Sequence, residues 1–191
     1  MSRIAIILTP GFADWEYAYV AGTGGPFYGM EIAFFTPSPG DVISQGGLTA
    51  RITHSVSEIE EWKPNVLVVI GGLGWDGSEP PDVSEALIGQ RGRGGTVAGI
   101  CGGTLALARS GLLDGVRHTS NGLDFLVDNA PNYTGADRYV ESPTAIADDG
   151  IITAPGTAAT GFAAAVFEAA GMERETANGF RAMVAAEHRE R

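Results

Sequence analysis

The chain has 191 residues, 44% of them apolar and 18% charged, and a net charge of −11. That apolar share supports a real core and excludes a disordered chain, and the length fits one domain over residues 1–191. The 12 basic residues are scattered, apart from a small Arg-containing group at the C-terminus, so the acidic chain lacks the clustered cations that a nucleic-acid partner demands.

In chain order, Arg3 to Leu8 is a continuous apolar run, the signature of a strand buried on both faces. Thr9-Pro10-Gly11 breaks it. A helix follows from Asp14 to Tyr28, its second half weakened by Gly22, Gly24 and Gly25. Glu31–Thr36 reads as the second strand. Val42–Ser44 and Leu48–Ala50 form a hairpin about Gln45-Gly46-Gly47. Val66–Ile70 is another buried strand, ended by Gly71-Gly72. Val83–Arg91 is a helix and Thr96–Ile100 a strand that runs into Cys101. A helix after Cys101 ends near Gly111. Thr119–Val127 is a strand-to-helix passage, and Tyr139–Glu141 and Ile151–Thr153 are late strands. Thr157–Ala170 is a small-residue helix. Arg174–Glu187 is a last one, with Phe180, Met183 and Val184 on one face and His188 on the surface beyond.

Strands alternating with helices imply an α/β fold, a mostly parallel sheet covered on both faces. Sites in such folds lie beyond the carboxyl ends of the strands, which directs attention to residues 9–16, 71–77 and 101–104. The single cysteine excludes an internal disulfide. The stretch Ile4–Leu8 is too short for a signal-peptide core, and no run approaches the roughly 20 apolar residues of a membrane span. The expectation is a cytoplasmic protein with no membrane partner. There is no Cys/His cluster with metal spacing and no phosphate-binding loop, so no metal and no cofactor is implied.

Gly99-Ile100-Cys101-Gly102-Gly103 has the Gly-x-nucleophile-x-Gly spacing of a nucleophile elbow. Small neighbours let strand and helix approach closely. The first helical turn aims free N–H groups at the sulfur, and on that ground the thiol pKa is expected below the free value of about 8.5. The Gly71-Gly72 pair at a strand end offers N–H groups, and Gly72 with Gly102 makes a candidate oxyanion hole. Glu16, just beyond the first strand, is a candidate carboxyl partner, partly protonated beside the sulfur. Trp75 and Asp76 are candidate pocket walls. Trp15 suits either the pocket or the core, and Asp124 a helix start.

These stretches, with Gly111-Leu112-Leu113-Asp114-Gly115, Thr119-Ser120 and Ala154-Pro155-Gly156-Thr157, resemble the ThiJ/PfpI family over nearly the whole chain. That family lies within the class I glutamine amidotransferase-like superfamily, which also holds the Parkinsonism-associated protein. The resemblance implies a flavodoxin-like, doubly wound sheet and an oligomer, here a homodimer. It makes Cys101 the nucleophile, Glu16 its carboxyl partner, and Gly72 and Gly102 the oxyanion donors. Many relatives carry a histidine directly after the cysteine or at the end of the Thr-Ser segment; here Gly102 and Asn121 stand there. His118 is a possible third member, three residues off. His54, after the hairpin, reads as loop.

The resemblance implies a cysteine-dependent hydrolase or lyase acting on a small electrophilic carbonyl or amide-like substrate, as in glyoxalase-like and deglycase-like relatives. Two alternatives stand beside it. One is a redox-sensing stress protein that works through oxidation of Cys101. The other is an amidotransferase-like subunit.

Overall fold

A computed structural model describes residues 1–188. Its strands are β1 (Arg3–Ile7), β2 (Glu31–Thr36), β3 (Gly40–Ile43), β4 (Thr49–Ile52), β5 (His54–Ser55), β6 (Val66–Val69), β7 (Thr96–Ile100), β8 (Ile146–Asp148) and β9 (Ile151–Ala154). The helices are α1 (Asp14–Tyr28), α2 (Ile59–Trp62), α3 (Ser84–Gly92), α4 (Gly103–Arg109), α5 (Leu123–Asn129), α6 (Ala159–Ala169) and α7 (Arg174–Val184). Seven strands form one sheet in the order β5-β2-β1-β6-β7-β9-β8, parallel except for the β8–β9 pair. This is the flavodoxin-like α/β architecture. Among the described residues no helix is long and apolar enough to cross a membrane.

The alternation of side chains along each strand explains the uninterrupted apolar runs. Ile4, Ile6, Val66, Val68, Ile100 and Ile152 face one layer of the core, shared with Val20 of α1, Phe162 and Phe167 of α6 and Phe180 of α7. Ala5, Ile7, Leu67, Val69 and Val97 face the other, with Ile59, Leu87, Leu107 and Leu126 from α2 to α5. Both faces are apolar, so a polar side chain in an inner strand needs a partner, as Thr153 of β9 has in the Thr119 N–H.

The glycines in α1 do not break it. A Cβ at Gly24 would stand 3.0 Å from the Phe167 ring, so this glycine is the close contact that lets α1 lie on α6. The helix closes on Gly29, whose φ of 65° is the left-handed cap conformation.

Three expectations need correction. Tyr139–Glu141 is not a strand; only an isolated bridge from Tyr139 to His118 forms. Pro143 follows closely and removes a ladder donor, and the edge place is taken by β8. In α7 the buried stripe is Ala177, Phe180 and the partly buried Val184, while Met183 is 61% exposed. Met183 lies one position round the helix from Val184, enough to turn it outward. His54 belongs to the short edge strand β5 rather than to a loop. The side chain of His188 lies outside the described residues.

Candidate active site

Four adjacent strands, β1, β6, β7 and β9, end at the same edge of the sheet, and each delivers one part of a site. β7 delivers Cys101. Its φ of 54° is left-handed, one of only three such non-glycine residues among those described. For a residue with a Cβ this conformation costs about 1–2 kcal/mol. It persists because the backbone is fixed on both sides. The Cys101 N–H donates to Ala154 O at 2.9 Å, and its carbonyl accepts from Thr104 N at 3.1 Å and Thr104 Oγ1 at 2.6 Å. The Thr104 hydroxyl also pairs with Ser120 Oγ at 2.6 Å. A Cβ at Gly103 would run into Val69 O, so only glycine lets α4 start so close to β6.

β1 leads into the loop that starts α1, and Glu16 lies in the first turn of that helix, fully buried. Its Oε2 accepts the Gly71 N–H, at the end of β6, at 2.7 Å. Its Oε1 has no hydrogen-bond partner among the described residues. β9 ends in Ala154-Pro155-Gly156. A Cβ at Gly156 would stand 3.0 Å from Cys101 Sγ and 3.2 Å from Glu16 Oε1, so sulfur and free oxygen border one gap roofed by a bare α-carbon.

Burial pushes the Glu16 carboxyl up to about 7, against the pull of the Gly71 N–H and the thiol. Burial, and next the negative charge of Glu16, push the thiol up to about 11. The Asn121 amide and the Gly102 N–H pull the thiol down, but not enough. The expectation of a thiol below its free pKa is therefore overturned. A four-sided polypeptide enclosure and a neighbouring carboxylate outweigh one short helix terminus. Near neutrality the pair carries at most one negative charge, held on Glu16, because the thiol stays protonated and two adjacent anions repel.

Asn121 is brought to the sulfur. Its Nδ2 donates to Cys101 Sγ at 3.2 Å, and its Oδ1 accepts the Gly156 N–H at 3.0 Å. Gly102 leans its N–H on the sulfur and packs against Gly72, whose carbonyl oxygen would be 3.1 Å from a Cβ at Gly102. The Gly72 N–H has no protein acceptor among the described residues. Cys101 itself is half-buried and reachable.

Three expected members take other places. Trp75 is fully buried; its indole N–H donates to Ile70 O at 2.9 Å, and the ring lies beneath Gly102. It floors the elbow instead of walling a pocket, since that large apolar ring gains more from the second core layer than from water. Asp76 is exposed. His118 is fully buried, with Nδ1 on Val116 O at 2.8 Å and Nε2 on the Tyr133 hydroxyl at 2.6 Å. Both ring nitrogens are thus engaged away from the sulfur, and burial lowers its pKa.

Other parts have roles that the sequence left open. Gly71, not only Gly72, takes part, as the donor that fixes Glu16. Gly156 roofs the gap, and its only signal was the Pro-Gly pair at a strand end. Trp15 is 51% exposed, and its indole N–H donates to Gly156 O at 3.0 Å. Asp14 accepts the Gly46 N–H at 2.8 Å, which ties the β3–β4 hairpin to the start of α1.

Among solved structures, the chain is similar to a DJ-1 superfamily protein, Atu0886, from Agrobacterium tumefaciens. The two share 36% identity and a TM-score of 0.93, over 99% of this chain and 100% of that one. It is also similar to a thiJ/pfpI family protein from Bacillus anthracis, with 25% identity and a TM-score of 0.81 over 97% and 91% of the two chains. Among curated proteins, one from Bacillus subtilis named as the uncharacterized protease YoaZ is 29% identical over 82% of this chain and 77% of that protein. With the DJ-1/PfpI family model matching residues 2–169, the chain belongs to the DJ-1/PfpI family.

Proposed function

We propose that this chain is a cysteine-dependent enzyme that acts on small electrophilic carbonyl compounds, with Cys101 as nucleophile and Glu16 as the proton carrier. The observation that carries the reading is the fully buried Glu16, which has one oxygen unpaired on the gap it shares with Sγ. A carboxyl held near 7 is matched to general base work at neutral pH.

With an α-oxoaldehyde such as methylglyoxal the steps balance. Sγ bonds to the aldehyde carbon as the thiol proton passes to Glu16. The oxygen that gains charge is met by the Gly102 N–H, with Gly72 alongside, and takes that proton back from Glu16, which returns to the carboxylate. Glu16 then carries a proton from the former aldehyde carbon to its neighbour while the hydroxyl proton moves to the adjacent oxygen, which turns the thiohemiacetal into a 2-hydroxyacyl thioester. Water cleaves the thioester, releasing lactate and the free thiol. No histidine is required, which suits a site where His118 is engaged elsewhere.

The test is lactate formation from methylglyoxal by the purified protein, by Cys101→Ala and by Glu16→Gln. Turnover in the wild type and its loss in both variants is the expected result. Unchanged rates in Cys101→Ala end the reading. Because curated relatives are named proteases, casein belongs in the same assay; hydrolysis of casein without methylglyoxal turnover would also overturn it.

A second reading uses the same half-buried thiol. Two equivalents of peroxide convert a thiol to a sulfinic acid and two waters, and protonated Glu16 would donate to a sulfinate oxygen. An intact-mass gain of two oxygens under mild peroxide, absent in Cys101→Ser and unaccompanied by carbonyl turnover, favours it. An amidotransferase-like role has no such support, because Asn121 cannot carry a proton as a histidine does.

A further inference from the structure

The steps above leave Trp15 unused, although it immediately precedes Glu16 in the first turn of α1. A tryptophan usually buries most of its ring, yet this one is 51% exposed. Nor is it free to swing, because its indole N–H is held on Gly156 O at 3.0 Å. That carbonyl belongs to the residue that roofs the Cys101–Glu16 gap, and whose N–H is held by Asn121. Trp15, Gly156, Asn121 and Cys101 therefore form one connected chain of contacts. An open cavity of about 570 Å³ lies along it, lined by Trp15, Asn121, Pro155, Gly156 and Thr157. None of the five carries a charge, and the largest apolar surfaces are the indole and the proline ring.

An uncharged cavity with a fixed aromatic ring at its side, two of whose lining residues, Asn121 and Gly156, also border Cys101 Sγ, suits an electrophile with a flat apolar substituent. A cationic substituent would find no carboxylate among the lining residues, and an anionic one no cation. We propose that Trp15 is a stacking platform for an aryl group, so that the preferred substrates are aryl-substituted α-oxo carbonyl compounds rather than the smallest aliphatic ones. This rests on the reading of Cys101 as a nucleophile toward carbonyl-type electrophiles, but not on any particular turnover.

A matched pair of thiol reagents separates the two claims. Phenacyl chloride and chloroacetone differ only in phenyl against methyl. In each, Sγ bonds to the methylene carbon, chloride leaves, and the thiol proton passes to Glu16 or buffer. The rate of Cys101 alkylation by each reagent, read by intact mass, is divided by its rate with N-acetylcysteine. The wild type is expected to favour the aryl reagent about three- to tenfold after this correction, the usual worth of an aromatic pair. Trp15→Ala should lose that preference, and Trp15→Phe should keep most of it, having the ring without the N–H. An equal preference in wild type and Trp15→Ala overturns the proposal. So does a wild type whose Trp15 fluorescence resists acrylamide while Trp15→Ala sediments as a smaller species, because the ring would then be covered by a second copy. If the aryl preference holds while phenylglyoxal and methylglyoxal are not turned over, the platform stands and the enzymatic reading fails.

Discussion

Asn121 holds the sulfur of Cys101 with one end of its amide, 3.2 Å from Sγ, while the other end takes the Gly156 N–H at 3.0 Å. One side chain thus sets both the thiol and the roof above it. Asn121→Ala should slow iodoacetamide alkylation of Cys101 about fivefold at pH 8, the worth of one neutral hydrogen bond. Asn121→Asp should slow it further, since a second carboxylate would push the thiol higher still. A rate in Asn121→Asp equal to or above the wild type would contradict this geometry.

Glu16 makes a pH-dependent contribution to stability. Its folded pKa, about 7, lies above the ordinary 4.5, so the fold favours the protonated form. The stability is fully present below pH 4.5 and is lost as pH rises through about 7. Glu16→Gln removes the titration and keeps an oxygen for the Gly71 N–H. The variant should be more stable than the wild type at pH 8 by about 2–3 kcal/mol, the difference fading toward pH 4.5. Urea melts at three pH values measure it, and a variant weaker than wild type at pH 8 would refute it.

The strain at Cys101 can be isolated by comparing two variants that lack the thiol. Alanine keeps a Cβ in the left-handed conformation at φ 54°, and glycine does not. Cys101→Gly should exceed Cys101→Ala in stability by about 1 kcal/mol. Equal melting curves would mean that the elbow is not strained.

The roof is a question of space. In Gly156→Ala the new methyl group sits 3.0 Å from Sγ and 3.2 Å from Glu16 Oε1. The fold should survive, because the methyl group meets the sulfur and a carboxylate oxygen and not the apolar core. Cys101 alkylation should fall on the order of tenfold, as expected for a reacting atom shut off by a misplaced group. Full reactivity in a folded variant would show that substrates reach the sulfur by another route.

The parts of this molecule that sequence made legible are those governed by local rules. Apolar runs such as Ile4–Ile7 and Val66–Val69 reveal doubly covered strands, and the glycines around Cys101 reveal an elbow. The parts that were hidden depend on distant neighbours. Nothing near Trp75 in sequence says that its ring lies under Gly102 in the core, and nothing near His118 announces the Tyr133 hydroxyl. The thiol pKa went the wrong way for the same reason. The helix terminus is visible locally, whereas burial and the charge of Glu16 arise from segments 85 residues apart in number. Gly156 is a similar case, since a glycine after a proline looks like any turn until another strand brings a sulfur beneath it.

The margins of the sheet carry a consequence of their own. One is the two-residue β5, and the other is β8, three residues long and antiparallel to its neighbour. A long row of unpaired backbone groups is what lets one polypeptide recruit the next into a fibril, and neither margin supplies it. Copies of this chain therefore find little backbone to pair with at the margins of the large sheet, and the four-residue strands of the β3–β4 hairpin are the longer unpaired edges among the described residues.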